Sequence, residues 1–493
     1  MGTTSFTLRA TPSNLTLPDL ERICILDSYS YSPVPTVKQL DGSILQVRRD
    51  IDESGRVLVP WQVPGFGQLM NSTTILMERE QPYPLGVELA RGKVLSIRSQ
   101  LADWQMHNLQ VPEALDQLIQ QTTHEFGHAL MFPVESANAQ AVQMLPLAHR
   151  AAAELVHVYT EQLFRFRHAQ HGRFDSHLTC RIDRLPEGQI ASFLHKCFNA
   201  VSVPLTWRDV EKSESAYDWS HTDAVLRWAH QHHLPVMAGP LIDFAWGLPD
   251  WLELWTGDVP SLAGFMCDYV QEVVKRYKGH FQRWQLTAGS NNADALGLSE
   301  DDLVRLTVRI AEAAWQVKPD LELVLGLSQP WGEYLLDEEH TYSPFIFADT
   351  LLRAGLQIAA LDLELHMGVG QRGTYCRDLL ETSRMLDMYA MLGVPLQVSL
   401  AYPASDQPDK LSRDPNAQVF GYWRDGFTEE AQADWAAQFT RLLICKPRVR
   451  NVTWVQLSDA QPHFLPNCGL LDAQGRPRAA LDRIRQLREE HLL

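Results

Sequence analysis

At 493 residues, 45% of them hydrophobic and with a net charge of -17, the chain can hold one extensive core and one or two further domains. That charge repels phosphate backbones and anionic lipid, no Lys/Arg-rich run offsets it, and no apolar run reaches bilayer-spanning length, so neither nucleic acid nor membrane is an expected partner. Seven cysteines scattered without a CxxC pair, behind an N-terminus that lacks a basic start and an apolar core, suit reduced thiols and a cytoplasmic location.

Residues 1–98 carry short extended runs, SILQVRR, RVLVP and STTILMERE, punctuated by Pro33, Pro35, Gly42, Gly55, Pro64 and Gly65. This pattern predicts a β-rich N-terminal domain of sandwich type, and its few aromatics favour packing against a neighbour over sugar stacking. Residues 99–174 change to a helical period: Leu115, Leu118, Ile119, Thr122, Phe126, Ala129 and Leu130 form one stripe, and a second run follows Pro133. A helical hairpin connecting two domains is expected.

That hairpin contains His124, Glu125 and His128 in the spacing H-E-x-x-H, which sets two zinc-binding histidines one helical turn apart with a glutamate as base. Both histidines fall opposite the apolar stripe. Metzincin peptidases, which the spacing resembles, place a glycine and a third histidine where this chain has Met131 and Val134, and Glu154 is a distant substitute. A solvated helix face is the plainer reading, and zinc peptidase chemistry is the remote one. No metal or cofactor is expected.

From residue 175 to 493, apolar runs of strand length alternate with amphipathic helical segments. LTCRI, NAVSVPL, LPVMAGPLI, FQRWQLT, LELVLGL, IAALDLEL, VPLQVSL and VRNVTWVQL are the eight runs, each followed by a helix. Near-continuous Val/Ile/Leu strands suit burial on both faces, and eight such units predict an α/β fold, a closed (β/α)8 TIM barrel. Sites in such barrels sit at the C-terminal strand ends.

Run six is the most informative, because Asp362, Glu364 and His366 alternate with Leu361, Leu363 and Leu365 and so share one face. The other strand ends are expected to offer Gln285 and Asn291 from strand four, Trp331 and Glu333 after strand five, and Trp454, Gln456 and Asp459 at strand eight. Asp243 follows strand three. Twelve of the fourteen tryptophans lie in this region, and flat indoles with amides suit a glycan.

The ordered series FNAVSVPLTW, LPDWL, RYKGHFQRWQL, LELHM, GVPLQVSL, VTWVQLSD and GRPRAAL resembles glycoside hydrolase family ten, the xylanase-type barrels. The resemblance implies a polysaccharide or oligosaccharide ligand and retaining hydrolysis by two glutamates, one ending strand four and one ending strand seven. The matching positions here are Gly289 and Leu400, flanked by Ala288 and Ser399, and Pro240 replaces a third-strand histidine.

Neither glycine nor leucine can give a proton or attack a sugar carbon. Two expectations follow. In one, hydrolysis runs on relocated carboxylates: Glu364 as principal acid, with Glu333, Asp459 or Asp243 as partner, His366 orienting, Trp331 and Trp454 as stacking walls, and Gln285, Asn291 and Gln456 binding hydroxyls. In the other, the barrel binds glycans or serves structurally without cutting them. The long polar segment 405–428 after strand seven is expected to be either a lid or disordered.

Overall fold

The computed structural model describes residues 2–9, 15–27, 32–185, 189–336, 340–370, 373–413 and 420–493. Residues 414–419, the middle of the expected lid, lie outside the described residues.

Eight parallel strands close on themselves. In order they are His177–Arg181, Ala200–Val203, Val236–Ala238, Arg283–Ala288, Leu323–Ser328, Ala360–His366, Leu396–Ala401 and Val449–Trp454, here barrel strands one to eight. Each pairs with the next, and Asn451–Trp454 of strand eight pairs back onto His177–Cys180 of strand one. The eight intervening helices are those the amphipathic periods predict, from Gln189–Cys197 to Ala479–His491. Their apolar stripes and the outward strand residues form one continuous core. Closure removes the free edges that an open sheet of these strands would expose.

The N-terminal region is two sheets. Val37–Asp41, Ile44–Arg49, Gly2–Thr7 and Tyr83–Pro84 form one, in that order. Pro33–Val34, Cys24–Leu26, Gly55–Val63 and Gly67–Leu76 form the other, and its last strand is completed by Tyr422–Trp423 from the segment after barrel strand seven. That segment is therefore anchored at its far end in the neighbouring domain.

The expected boundary at residue 98 falls inside a helix, Leu85–Met106, so the β region ends at Pro84. The sequence period is obscured there because this helix is buried on several sides. Its Gly92 lies so close to strand Gly67–Leu76 that a Cβ would come within 2.0 Å of the Ser72 carbonyl oxygen, which only glycine permits. The hairpin predicted beyond it is present as Glu113–Ala129 and Val134–His171.

Helix Leu85–Met106 carries Lys93 to the barrel, where its Nζ is 2.7 Å from Asp378 Oδ2 in a buried ion pair. His149 Nδ1 stands 3.3 Å from the same oxygen, and its Nε2 is 2.8 Å from Asn71 Oδ1. Ser96 donates to Glu381 at 3.0 Å. Lys93 and His149 hold Asp378 well below the usual carboxylate range, while burial and the Lys93 charge push the His149 imidazole downward against the opposing pull of Asp378. Removing one member of such a group strands the others without solvent. Lys93→Met should lower unfolding free energy by about 3 kcal/mol in a denaturant titration; an unchanged midpoint would show that the pair contributes nothing to stability.

Candidate functional site

Because side chains alternate along each strand, half of every barrel strand is committed to the interior. The lower interior is small and polar, lined by Arg181, Gln285, Asp362, Gln397, Asn451 and Thr453 among others. Asp362 accepts from Ser399 Oγ at 2.7 Å, and Thr179 donates to Asn451 at 2.6 Å. Burial pushes the Asp362 carboxyl upward, opposed by that hydroxyl and by the Arg181 charge.

Above it opens a cavity of about 300 Å³ at the C-terminal mouth, whose lining among the described residues comes from the barrel and its loops. Glu364 and His366 stand on its floor from strand six. Ser328, opposite Glu364 in the strand-five register, donates to Glu364 Oε2 at 2.5 Å. The surrounding protein, with lesser contributions from Asp362 and Asp243, pushes the Glu364 carboxyl up to about 7 despite that hydrogen bond and the Arg181 guanidinium. His366 is pushed down to about 3 by burial and by Arg181, so its imidazole is neutral, and its Nε2 has no protein partner. Asp243 lines the same cavity from Ile242–Asp243, a short strand that follows strand three and pairs with the end of strand four, its Oδ1 accepting from the amides of Ala245 and Trp246 at 2.9 and 3.1 Å.

The remaining expected residues divide. Gln456 lines the cavity, but its amide group is committed to Asp459 at 2.7 Å, to the Leu465 carbonyl at 2.8 Å and, as acceptor, to the Leu465 amide at 3.1 Å. Asn291 exchanges two hydrogen bonds with the Ser328 backbone, both at 2.9 Å, and shapes the strand-five end. Gln285 sits in the lower interior.

Glu333, Asp459, Trp331 and Trp454 do not line the cavity. The loop after strand five folds outward, and Glu333 pairs with Arg377 at 2.5 Å while that guanidinium lies 4.3 Å from the Trp331 ring centre. Asp459 is 2% exposed and bound by Arg478 at 2.5 Å and the Gly469 amide at 2.7 Å, so it pins the strand-eight loop. Trp454 faces the helix layer, not the mouth: over strand eight Asn451 and Thr453 point inward, and the Trp454 indole donates to the Cys468 carbonyl at 3.0 Å beside Trp435. Leu400 likewise turns outward at 1% exposure, leaving Ser399 and Ala401 on the inner register.

The sequence reading missed the residues that complete the lining. Trp246 and Phe464 form an aromatic wall, their rings 5.8 Å apart. Arg181 ends strand one, and Asp183, Asp209 and Arg413 stand nearer the rim, Arg413 pairing with Asp209 at 2.8 Å. Arg181 was within reach of the strand-end rule applied to the run LTCRI. The Asp209 and Arg413 pair joins loops 204 residues apart, a contact no local pattern signals.

On the connector helix, His124 and His128 are exposed, and His128 packs edge-on against Phe132 at 5.1 Å. Among the described residues, the His/Cys/Asp/Glu group close enough to share a metal is instead Asp409, Asp459 and His463. Arg478 occupies Asp459, and His463 and the Asn467 amide, each at 2.9 Å, occupy Asp409, so this group is bonded within the protein.

A closed (β/α)8 barrel with a sugar-sized mouth cavity, an aromatic wall and an acid on its floor defines a glycoside-hydrolase-like, carbohydrate-active protein. The glycosyl hydrolase family 10 model matches residues 181–486, and the chain belongs to that family. It is 23% identical over 264 residues to endo-1,4-beta-xylanase 2 of Aureobasidium pullulans, a match covering 49% of this chain and 70% of that protein. Among solved structures it is similar to native xylanase 10B from Thermotoga maritima, at 14% identity and TM-score 0.47 over 64% of this chain and 95% of that one. The Thermobacillus composti GH10 xylanase is similar at 18% identity and TM-score 0.44, over 66% and 98%.

The raised Glu364 carboxyl predicts a pH-dependent stability. Its proton is bound more tightly in the folded protein than in the unfolded chain, so wild type loses stability as pH climbs from the ordinary carboxylate range through about 7. Glu364→Gln should melt like wild type near pH 5 and gain on it above pH 7, by at most ~2 kcal/mol once cavity water is allowed for. Melting curves that stay parallel across this range would show Glu364 to be an ordinary ionised carboxylate.

Proposed function

We propose that the mouth cavity binds a xylan-like oligosaccharide, drawing the substrate class from the family and from its endo-1,4-beta-xylanase relative. The observation that carries this reading is the cavity itself: about 300 Å³, walled by Trp246 and Phe464 and floored by Asp243 and by polar groups of strands one, five and six. An aromatic face stacks on a sugar ring while side-chain donors and acceptors take its hydroxyls.

Retaining hydrolysis by the usual pair of glutamates is disfavoured. Gly289 holds a φ of +64°, a left-handed backbone in which a glutamate would be strained, and the inner register beside Leu400 carries only Ser399 and Ala401.

A second reading, cleavage on relocated acids, rests on Glu364 holding its proton near neutral pH while Asp243 lines the same cavity from the short strand after strand three. In that reading Glu364 protonates the glycosidic oxygen and Asp243 takes a proton from the water that attacks the anomeric carbon from the opposite face. Such inversion uses carboxyls about 6.5–9.5 Å apart.

One panel of xylo-, gluco-, manno- and galacto-oligosaccharides tests both readings, scored for melting shift and for new reducing ends. A ligand at a hundredfold excess over Kd stabilises the folded state by about 2.7 kcal/mol, so binding registers without turnover. Xylo-oligosaccharides should raise the melting temperature; no shift with any sugar would refute the pocket. If reducing ends appear, Glu364→Gln and Asp243→Asn should each lower the rate by about a hundredfold or more while binding persists. Unchanged rates would remove both residues from the chemistry.

A further inference from the structure

Arg181 is the least explained group in the cavity. It ends barrel strand one, lines both the lower interior and the mouth cavity, and makes one weak hydrogen bond, from Nη2 to Gln285 Oε1 at 3.4 Å. Its Nε is buried without a partner. Among the described residues no carboxylate lies within 4.0 Å of its guanidinium, although Asp183, Asp243 and Glu364 line the same cavity. By contrast Arg377, Arg413 and Arg478 each hold a carboxylate at 2.5 to 2.8 Å. Beside Arg181, His366 also presents a buried Nε2 with no protein partner.

A guanidinium set in a cavity without its counter-ion is poised for an anion, and its planar fork fits a carboxylate. Sugar hydroxyls would satisfy its hydrogen bonds but not its charge. Resting on the reading above that the cavity takes a sugar, but replacing its neutral xylose ring at the cavity floor, the geometry points to Arg181 as the binding site for the carboxylate of a uronic acid, carried by the very ring that occupies that floor. The depth matters: Arg181 is on the strand end, whereas a carboxylate on a side branch would meet the rim cations Arg184, Lys212 and Arg413. Burial pushes the Asp362 and Glu364 carboxyls upward, opposed in each by the Arg181 charge, and neither pairs with the guanidinium as the carboxylates of Arg377, Arg413 and Arg478 do.

Titration calorimetry with three trisaccharide probes tests the assignment: neutral xylotriose, trigalacturonate with its carboxylates on the main-chain rings, and a xylotriose carrying one glucuronic acid branch. Trigalacturonate should bind about tenfold or more tightly than xylotriose. In Arg181→Gln that ratio should collapse towards one, and in Arg181→Lys, which keeps the charge if the glutamine variant fails to fold, most of it should remain. Equal affinity of the neutral and main-chain acidic probes, or a preference surviving in Arg181→Gln, would overturn the assignment while leaving the sugar pocket standing. Preference for the branched probe alone would move recognition to the rim and overturn it too. Binding of none of the three would refute the pocket reading and this inference together.

Discussion

A closed parallel sheet has no edge, and everything at the mouth of this barrel depends on that closure. Once Asn451–Trp454 pairs back onto His177–Cys180, the inward residues of each strand are forced towards one axis and away from bulk water. Asp362, Glu364, His366 and Arg181 meet there because their strands leave them no other place. Their altered protonation follows from the same constraint. A carboxyl surrounded by protein keeps its proton, and an imidazole buried in the same place, with a guanidinium nearby, gives its proton up.

The hydrogen bonds around the floor decide which of these groups are available. Asp362 is occupied by Ser399, Asn291 by the strand-five backbone and Gln456 by the strand-eight loop. Glu364 receives one hydroxyl and still faces open space. The polar inventory of the mouth is thus long in sequence and short in freely disposed groups, and the difference is spent on holding loops in place.

The N-terminal sheets contribute nothing to the cavity lining, but they are not a detached module. Lys93, Ser96 and His149 reach Asp378 and Glu381 on the barrel, and Tyr422–Trp423 joins the N-terminal sheet as an edge strand. The segment after strand seven, a lid in the sequence reading, is tied at one end by that strand. At the other it is tied by Asp409 to His463 and Asn467, and by Arg413 to Asp209. These contacts hold its described parts against the rim.

The amino-acid sequence alone determined the barrel, its eight strand-helix units and the shared inner face of Asp362, Glu364 and His366, because periods of two and of 3.6 residues are local properties of the backbone. It also carried the family, through short motifs in a particular order. Tertiary structure decided which candidates reach the cavity. Glu333, Asp459, Trp331 and Trp454 are as eligible by residue type as Glu364, yet Arg377, Arg478 and the outer helix layer claim them. Trp246, Phe464, Asp209 and Arg413 enter because loops from distant strands converge over the mouth. Which partner captures a side chain depends on distances between residues hundreds of positions apart, and no local period encodes them.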